Sequence, residues 1–219
     1  MDHTLREWIR LGEKCGLAQA ALDAQAKETR MDRTHIRQVM LAHWHDMQSA
    51  IRTGLEPGLR SVSGLSGGQA VKLLNRMQEG KRLCGTLLGK AEAYALATAE
   101  CNACMGKIVA APTAGACGIL PGLLQALAEE RNFQEDALVD ALFVAAAVGE
   151  SIASQASISG AEGGCQAECG SAAAMAAAAM VFLEGGTPQQ SADAAAFTIM
   201  NLLGLVCDPA GGLVEVPCV

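Results

Sequence analysis

The sequence contains few aromatic and few charged side chains. Aromatic residues make up 3% and charged residues 18% of its 219 residues, whereas hydrophobic residues make up 51%. Intrinsic disorder is excluded, because such a chain has ample apolar surface to bury. A core with so few aromatic rings must be built from Ala, Leu, Val and Met, and this composition favours helix over sheet.

Long hydrophobic runs and a secretion signal are also missing. The most apolar stretch, residues 172–183, is short, and about 20 apolar residues are needed to cross a bilayer. Met1 is followed by polar residues rather than by the apolar segment of a signal peptide. We therefore expect a cytoplasmic protein without a membrane partner.

Basic residues are absent from the last part of the sequence. The last one is Arg131, and only acidic residues carry charge after it. Nucleic-acid binding needs clusters of Lys and Arg, so we expect no nucleic-acid partner. The acidic part is either a solvated surface or a site for a cation, a metal cluster or a basic partner.

Hydrophobic periodicity predicts helices along the whole chain. Thr4 is predicted to cap the first helix, and residues 156–164, rich in Ser and Gly, are predicted to form a loop. The longer predicted helices are Leu5–Cys15, Leu17–Thr53 with a break near Asp32, Leu87–Lys107, Ile119–Arg131, Phe133–Ser154 and Glu168–Glu184. We predict an all-α fold, a single multi-helix domain in which the last of these, rich in alanine, is central and buried.

Nine cysteines are many for a chain without a secretion signal, and in a reducing compartment they indicate metal binding, catalysis or buried small apolar residues rather than disulfides. Cys165, Cys207 and Cys218 lie in or beside predicted loops and are flanked by Gly or Pro. Such residues hold the backbone open around an iron–sulfur cluster, and thiolates are soft ligands for iron. Their spacing alone is not diagnostic. The C-x-x-C pair Cys101 and Cys104 is predicted to lie in the middle of a helix and to be structural.

Several sequence runs together resemble one family. Residues 111–118 (APTAGACG), 157–168 (SISGAEGGCQAE) and 201–218 (NLLGLVCDPAGGLVEVPC) closely resemble the α chain, or α domain, of the iron–sulfur-dependent L-serine dehydratases. Residues 63–68 (SGLSGG) resemble the glycine-rich substrate loop of that family. α chains of the family continue well beyond the last cluster cysteine, so this sequence is expected to be either truncated there or an unusual short form.

The resemblance implies a function and a division of the chain. The function is elimination of water from L-serine to give pyruvate and ammonia, with an open-site [4Fe-4S] cluster as Lewis acid. Residues 1–60 are expected to form an N-terminal helical lobe and residues 61–219 the cluster- and substrate-binding helical domain. The resemblance also implies a β chain that supplies part of the serine site, and we expect an oligomer.

The family's site residues are carried over position by position. The implied cluster ligands are Cys165, Cys207 and Cys218. The expected substrate-binding residues are Ser66, Gly67, Gly68, Thr113, Ala114, Gly115, Ser157 and Ser159, several of which present backbone N–H groups to a carboxylate. The base that removes the α-proton is left open between Glu162 and Glu168, and either carboxylate is equally well explained as structural.

Two other interpretations stay open. A pyridoxal-phosphate dehydratase would perform the same reaction, but it needs a Schiff-base lysine. No Lys follows Lys107, and an all-helical chain does not suit that class, so we expect no pyridoxal phosphate. The other interpretation is a cluster-free, catalytically incompetent helical subunit that stabilises or regulates a partner chain.

Overall fold

The computed structural model describes residues 3–81 and 83–204, and every regular element in these ranges is helical. The α-helices of these ranges are α1 (Leu5–Cys15), α2 (Leu17–Thr29), α3 (Arg33–Gly54), α4 (Gln69–Gln78), α5 (Thr86–Ala103), α6 (Ile119–Arg131), α7 (Glu135–Gln155), α8 (Gly160–Cys165), α9 (Ser171–Leu183) and α10 (Pro188–Asn201). A 3₁₀ turn at Ala114–Ala116 precedes α6, and a π-helical turn at Gln166–Gly170 joins α8 to α9. The predicted all-α class is confirmed.

The described residues pack into two compact units. The first contains residues 3–44 and 133–204, and the second contains residues 45–132 apart from residue 82. Helix α3 begins in the first unit and ends in the second. The division expected after residue 60 stays a prediction.

Side-chain caps fix where two helices begin. The hydroxyl of Thr4 accepts a hydrogen bond from the Glu7 backbone N–H, and the Glu7 carboxylate accepts one from the Thr4 N–H at 2.8 Å. Thr187 and Gln190 form the same reciprocal pair before α10. These capping boxes satisfy backbone groups that a helix leaves unpaired at its start. The predicted start of the first helix at Thr4 is confirmed.

An alanine-rich helix forms the centre of the first unit. Helix α9 packs against α7 and α10. The buried residues of α9 are Ser171, Ala172, Ala174, Met175, Ala176, Ala178 and Ala179. Small side chains let helix axes approach closely, so alanine replaces the aromatic packing that the composition cannot supply. This confirms the predicted buried Ala-rich helix.

Two helical stretches of the first unit are long and apolar enough, by length and composition, to cross a membrane. They are α7 and the run Gly160–Leu183, and 61% and 50% of their apolar windows are buried inside the structure. Core helices of soluble proteins have the same properties. The absence of a membrane partner therefore stays a prediction.

Glycines bring the helices of the second unit into backbone contact. A Cβ atom on Gly54 of α3 would lie 1.7 Å from the carbonyl oxygen of Ala97 in α5. A Cβ on Gly122 of α6 would lie 2.6 Å from the backbone nitrogen of Ala95, also in α5. Beside these crossings lies a core cluster of Ile51, Ala70, Tyr94, Ala97 and Ala126. Helix α5 is thus the element on which this unit is built.

Helix α5 ends earlier than the sequence predicts. It stops at Ala103 rather than Lys107, because Met105 adopts the left-handed conformation (φ 63°) and the Gly106 N–H donates to the Cys101 carbonyl at 2.9 Å. The Met105 N–H donates to the Asn102 carbonyl, which completes a Schellman motif. The C-x-x-C pair therefore lies at the end of a helix, and its predicted mid-helix position is wrong.

The predicted loop 156–164 is partly helical. Helix α8 starts at Gly160 inside this range, and its backbone is interrupted at Gly164 (φ 64°, ψ −162°). Glycine adopts these angles without the steric cost that a Cβ atom brings. Only residues 156–159 keep the predicted irregular conformation.

Candidate active site

The predicted site residues are distributed over both units. Ser66, Gly67, Gly68, Thr113, Ala114 and Gly115 lie in the second unit, whereas Ser157, Ser159, Glu162, Cys165 and Glu168 lie in the first. Cys207 and Cys218, the other two predicted cluster ligands, lie outside the described residues.

Cys165 lies where a helix restarts. Helical backbone resumes at Cys165 after the break at Gly164 and continues through the π-helical turn into α9. The side chain is half-buried. The N-terminal end of a helix carries partial positive charge and stabilises a thiolate, which is the form of cysteine that binds metals. The position suits a cysteine that acts as an anionic ligand.

A hydrogen-bonded loop precedes Cys165. The hydroxyl of Ser157 donates to Oε2 of Glu162, and the Ser159 N–H donates to the Ser157 hydroxyl at 3.1 Å. The Gly163 N–H donates to the Ser159 carbonyl at 2.9 Å. These bonds fold residues 157–159 onto the start of α8, so that Ser157 and Ser159 are held beside the Glu162 carboxylate.

A cavity of about 360 Å³ opens beside this loop. Its lining includes Ser157, Glu162, Gly163 and Gln166, so residues on both sides of Cys165 in sequence contribute to it. Gln166 donates from Nε2 to the Ile199 carbonyl at 3.1 Å, while its Oε1 is buried without a hydrogen-bond partner. The cavity offers a carboxylate, a hydroxyl and an amide to a small polar molecule.

Glu168 lies in a different environment from Glu162. A Cβ atom on Gly160 would come within 2.3 Å of Glu168 Oε2, so the carboxylate packs directly against the Gly160 backbone. Glu162 is exposed and lines the cavity, whereas Glu168 is half-buried and does not belong to its lining. Of the two predicted bases, Glu162 has the geometry to meet a molecule in the cavity.

In the second unit, residues 61–68 form a closed loop. The Ser61 N–H donates to the Ser66 carbonyl at 3.1 Å, and the Ser66 N–H donates to the Ser61 hydroxyl at 3.2 Å. Gly67 has φ 127°, and a Cβ on it would lie 2.3 Å from the Leu59 carbonyl oxygen. Gly68, with φ 80°, leads directly into α4. A side chain at Gly67 is excluded by both conformation and space.

The last turn of α5 anchors this loop. The Cys104 thiol donates to the Arg60 carbonyl at 2.8 Å, and the Val62 N–H donates to the Ala103 carbonyl at 3.2 Å. Glu100 accepts a hydrogen bond at Oε1 from the Gln69 N–H, the first residue of α4, at 2.6 Å. The loop that the sequence predicts for substrate binding is therefore held in place by hydrogen bonds to residues at the end of α5.

The predicted turn Thr113–Gly115 is supported by the same end of α5. Asn102 donates from Nδ2 to the Ala114 carbonyl at 3.0 Å. The Thr113 hydroxyl is buried without a hydrogen-bond partner. Two residues after Gly115, burial raises the pKa of the Cys117 thiol to about 11. Cys117 is therefore a neutral, buried thiol at ordinary pH, and the last turn of α5 supports both predicted substrate loops of this unit.

Two charged residues beside the Ser66–Gly68 loop were missed at the level of sequence. Glu100 is 1% exposed, and its Oε2 is buried with no hydrogen-bond partner. Arg60 is exposed and donates from Nη1 to the Gly67 carbonyl at 3.2 Å. The available signals in the sequence were an acidic residue in the apolar second half of α5 and an arginine immediately before the Ser- and Gly-rich run.

Comparison with known proteins gives a consistent result along almost the whole chain. A family profile described as the serine dehydratase alpha chain matches residues 12–219. The "Probable L-serine dehydratase, alpha chain" of Bacillus subtilis (strain 168) is 50% identical over 221 residues, which cover 100% of this chain and 73% of the relative. The "L-serine dehydratase, alpha chain" of Peptoniphilus asaccharolyticus is 41% identical over 100% of this chain and 75% of its own length. The "L-serine dehydratase" of Streptomyces coelicolor is 38% identical over 97% of this chain and 47% of its own length.

Proposed function

The chain belongs to the serine dehydratase alpha-chain family, and from this premise we propose that it is the α chain of an L-serine ammonia-lyase. In this proposal it acts with a β chain, in an oligomer, to remove water from L-serine and release pyruvate and ammonia. The names of relatives that match the full chain support the substrate and the partner. We propose a cytoplasmic location, with neither nucleic acid nor a membrane as partner.

We assign the [4Fe-4S] cluster to Cys165, Cys207 and Cys218. Within residues 3–81 and 83–204, no three His, Cys, Asp or Glu side chains are grouped to hold a metal ion; Cys207 and Cys218 lie outside these residues. Cys165 fits this role, because it is a half-buried thiol at the positive end of a helical run. When bound through three thiolates, the cluster supplies an iron with an open position that acts as a Lewis acid on the leaving hydroxyl of serine.

A carboxylate of this chain is proposed to remove the α-proton of L-serine. Glu162 faces the cavity and accepts a hydrogen bond from Ser157, which fixes the orientation of its carboxylate. In the proposed reaction a Glu162 oxygen takes the α-proton of L-serine and the bond from the β-carbon to the hydroxyl breaks. The departing hydroxide then receives that proton, so that water is released and the Glu162 carboxylate is regenerated. The resulting enamine tautomerises to an imine, and water hydrolyses the imine to pyruvate and ammonia. Glu168 remains the second possibility for the base.

The remaining predicted residues hold the substrate. Ser66, Gly67 and Gly68 form the closed loop that leads into α4, and Thr113, Ala114 and Gly115 form the turn before α6. Backbone N–H groups at helix starts stabilise a carboxylate. Ser157 and Ser159 are polar neighbours of Glu162 in the first unit. We propose that these residues orient the serine by hydrogen bonds.

The observation that carries the proposal is the cavity lined by Ser157, Glu162 and the neighbours of Cys165. It combines a proton acceptor with the segment that holds a predicted cluster ligand. The test is an anaerobic assay of pyruvate formation from L-serine by the chain together with its β chain, before and after removal of iron by a chelator. We expect turnover that is lost with the iron and restored by iron and sulfide. Turnover that persists without iron contradicts the proposed chemistry.

A further inference from the structure

The side chain that follows Cys165 contacts the end of another helix. Gln166 donates from Nε2 to the carbonyl oxygen of Ile199 at 3.1 Å, across 33 residues of sequence. Ile199 lies in the last turn of α10, where the carbonyl groups have no partner within the helix. The same carbonyl also accepts from the Leu202 N–H at 3.2 Å. Gln166 therefore caps the C-terminal end of α10 from the segment that carries Cys165.

The Gln166 amide is enclosed on a second side by Gly170. A Cβ atom on Gly170 would lie 2.7 Å from Gln166 Oε1 and 2.8 Å from its Cδ. Gly170 is buried and has ordinary helical angles (φ −63°, ψ −41°), so a larger residue is disfavoured here by space and not by backbone conformation. The amide thus packs between the Gly170 backbone and the Ile199 carbonyl, across the π-helical turn that follows Cys165. Such turns are frequent at functional sites.

This arrangement leaves one polar atom of Gln166 unsatisfied. Its Oε1 is buried and has no hydrogen-bond partner. Such an atom costs free energy, because it has lost the water that solvates it and has gained no donor in return. Methionine has a similar length and would avoid this cost, but it could not donate to Ile199. The donor is therefore present in spite of its cost, which indicates a role beyond filling space.

The bond joins the two segments from which predicted cluster ligands come. Cys165 precedes the capping residue directly, and Cys207 is the third residue after Gly204 in the sequence. Three residues span at most about 11 Å, so the position of Gly204 limits where Cys207 can lie. Gly163 and Ile199, one from each segment, also line the same cavity.

We propose that Gln166 is a positioning residue for the [4Fe-4S] cluster: by capping α10, it holds the start of the Cys207 segment beside Cys165, so that both thiolates reach one cluster. The inference rests on the proposed function, in which these two cysteines are ligands. Gln166 does not bind iron in this role, since its donor is used by Ile199. Hydrogen-bonded neighbours hold metal ligands in place, and losing such a neighbour lowers metal affinity.

The test measures how firmly the cluster is held. Release of iron to a chelator is followed in the anaerobically reconstituted complex of the chain with its β chain. Gln166→Met keeps the length of the side chain and removes the donor. Gly170→Ala leaves Gln166 unchanged and displaces its amide from Ile199. We expect each variant to release iron about tenfold to a hundredfold faster than the wild type.

The matched control weakens the same helix at its other end. The Thr187 hydroxyl accepts from the Gln190 N–H at the start of α10, and Thr187→Ala removes this cap. We expect it to lower the thermal midpoint of the iron-free complex and to leave iron release at the wild-type rate. Wild-type release in Gln166→Met, or equally fast release in Thr187→Ala, overturns the inference. Should Gln166→Met fail to fold, Gly170→Ala is judged against Thr187→Ala by the same criteria.

The same samples separate this inference from the proposed function. A wild-type complex that holds iron and forms pyruvate, together with variants that release iron no faster, overturns the role of Gln166 and leaves the reaction standing. Fast release in both variants from a complex that forms no pyruvate from L-serine supports the role of Gln166 and contradicts the reaction. A wild-type complex that binds no iron overturns both.

Discussion

The hydroxyl of Ser157 donates a hydrogen bond to Oε2 of Glu162, and both residues line the same cavity. The bond joins the last irregular residues before α8 to the first turn of that helix. It gives the Glu162 carboxylate a fixed orientation towards the cavity, which a base needs if it is to meet a substrate proton. Glu168 is not among the residues that line this cavity.

Removing the proposed base should abolish most of the turnover. Glu162→Gln is expected to lower kcat by about a hundredfold or more, as for loss of a general base, whereas Ser157→Ala lowers it less because the carboxylate remains. Steady-state pyruvate formation by the anaerobic complex measures both effects. Ser154→Ala is the matched control, since the Ser154 hydroxyl donates only to the Ser151 carbonyl within α7. A large fall in kcat for Glu168→Gln, with Glu162→Gln near wild type, would assign the base to Glu168.

The contact of α3 with α5 should tolerate no side chain at Gly54. A Cβ there would lie 1.7 Å from the Ala97 carbonyl oxygen, a backbone atom that cannot move without shifting α5. Gly54→Ser is therefore expected to lower the free energy of unfolding by at least about 2 kcal/mol, measured by denaturant titration. Gly85→Ser is the control, because its Cβ meets nothing within 4 Å and serine is a favoured residue before a helix. Equal stability of the two variants would show that the helices do not cross this closely.

Stability should fall at alkaline pH because of a network around Glu129. Tyr94 donates to both Glu129 oxygens at 2.9 and 3.0 Å, and burial together with this contact raises the pKa of Tyr94 to about 12. Hydrogen bonds to Glu130 and Glu129 also raise the pKa of Lys90. Because both pKa values are higher in the folded state, the network stabilises the fold fully below about pH 10 and loses this effect as the pH rises towards 12.

The variant that tests the network is Tyr94→Phe. It is expected to reduce the slope of unfolding free energy against pH between about pH 10 and 12, measured by denaturant titration at each pH. Glu79→Gln, in the exposed pair with Lys81, should leave the slope unchanged. An unchanged slope in Tyr94→Phe would mean that the tyrosine does not keep its proton in the folded state.

Local signals in the sequence are sufficient for most helices. Thr4 with Glu7 and the glycine at position 16 predict both ends of α1, because capping and chain termination are decided by neighbouring residues. The end of α5 is different. A methionine, not a glycine, adopts the left-handed conformation at residue 105. Methionine has no preference for that conformation, so the sequence does not predict it. The break at Gly164 was equally hidden, since a Gly-Gly pair indicates a loop as readily as an interrupted helix.

Contacts between distant residues could not be predicted. Glu100 and Gln69 are 31 residues apart, and their hydrogen bond depends on how α4 packs beside α5. The composition of residues 61–68 predicts a functional loop, but not the buried carboxylate behind it. In the first unit the sequence motif predicts Ser157, Glu162 and Cys165 as one segment, while the cavity beside them depends on Ile199 of α10 as well.

The measurement that tests the central claim most directly is the iron and acid-labile sulfide content of anaerobically reconstituted protein, with serine-dependent pyruvate formation measured on the same samples. The account predicts about four irons and four sulfides per chain in the wild type, and the loss of both cluster and turnover in Cys165→Ala, Cys207→Ala and Cys218→Ala. Cys15→Ala, which changes an exposed cysteine at the end of α1, should keep both. A Cys165→Ala protein with the full iron content and wild-type turnover would contradict the account.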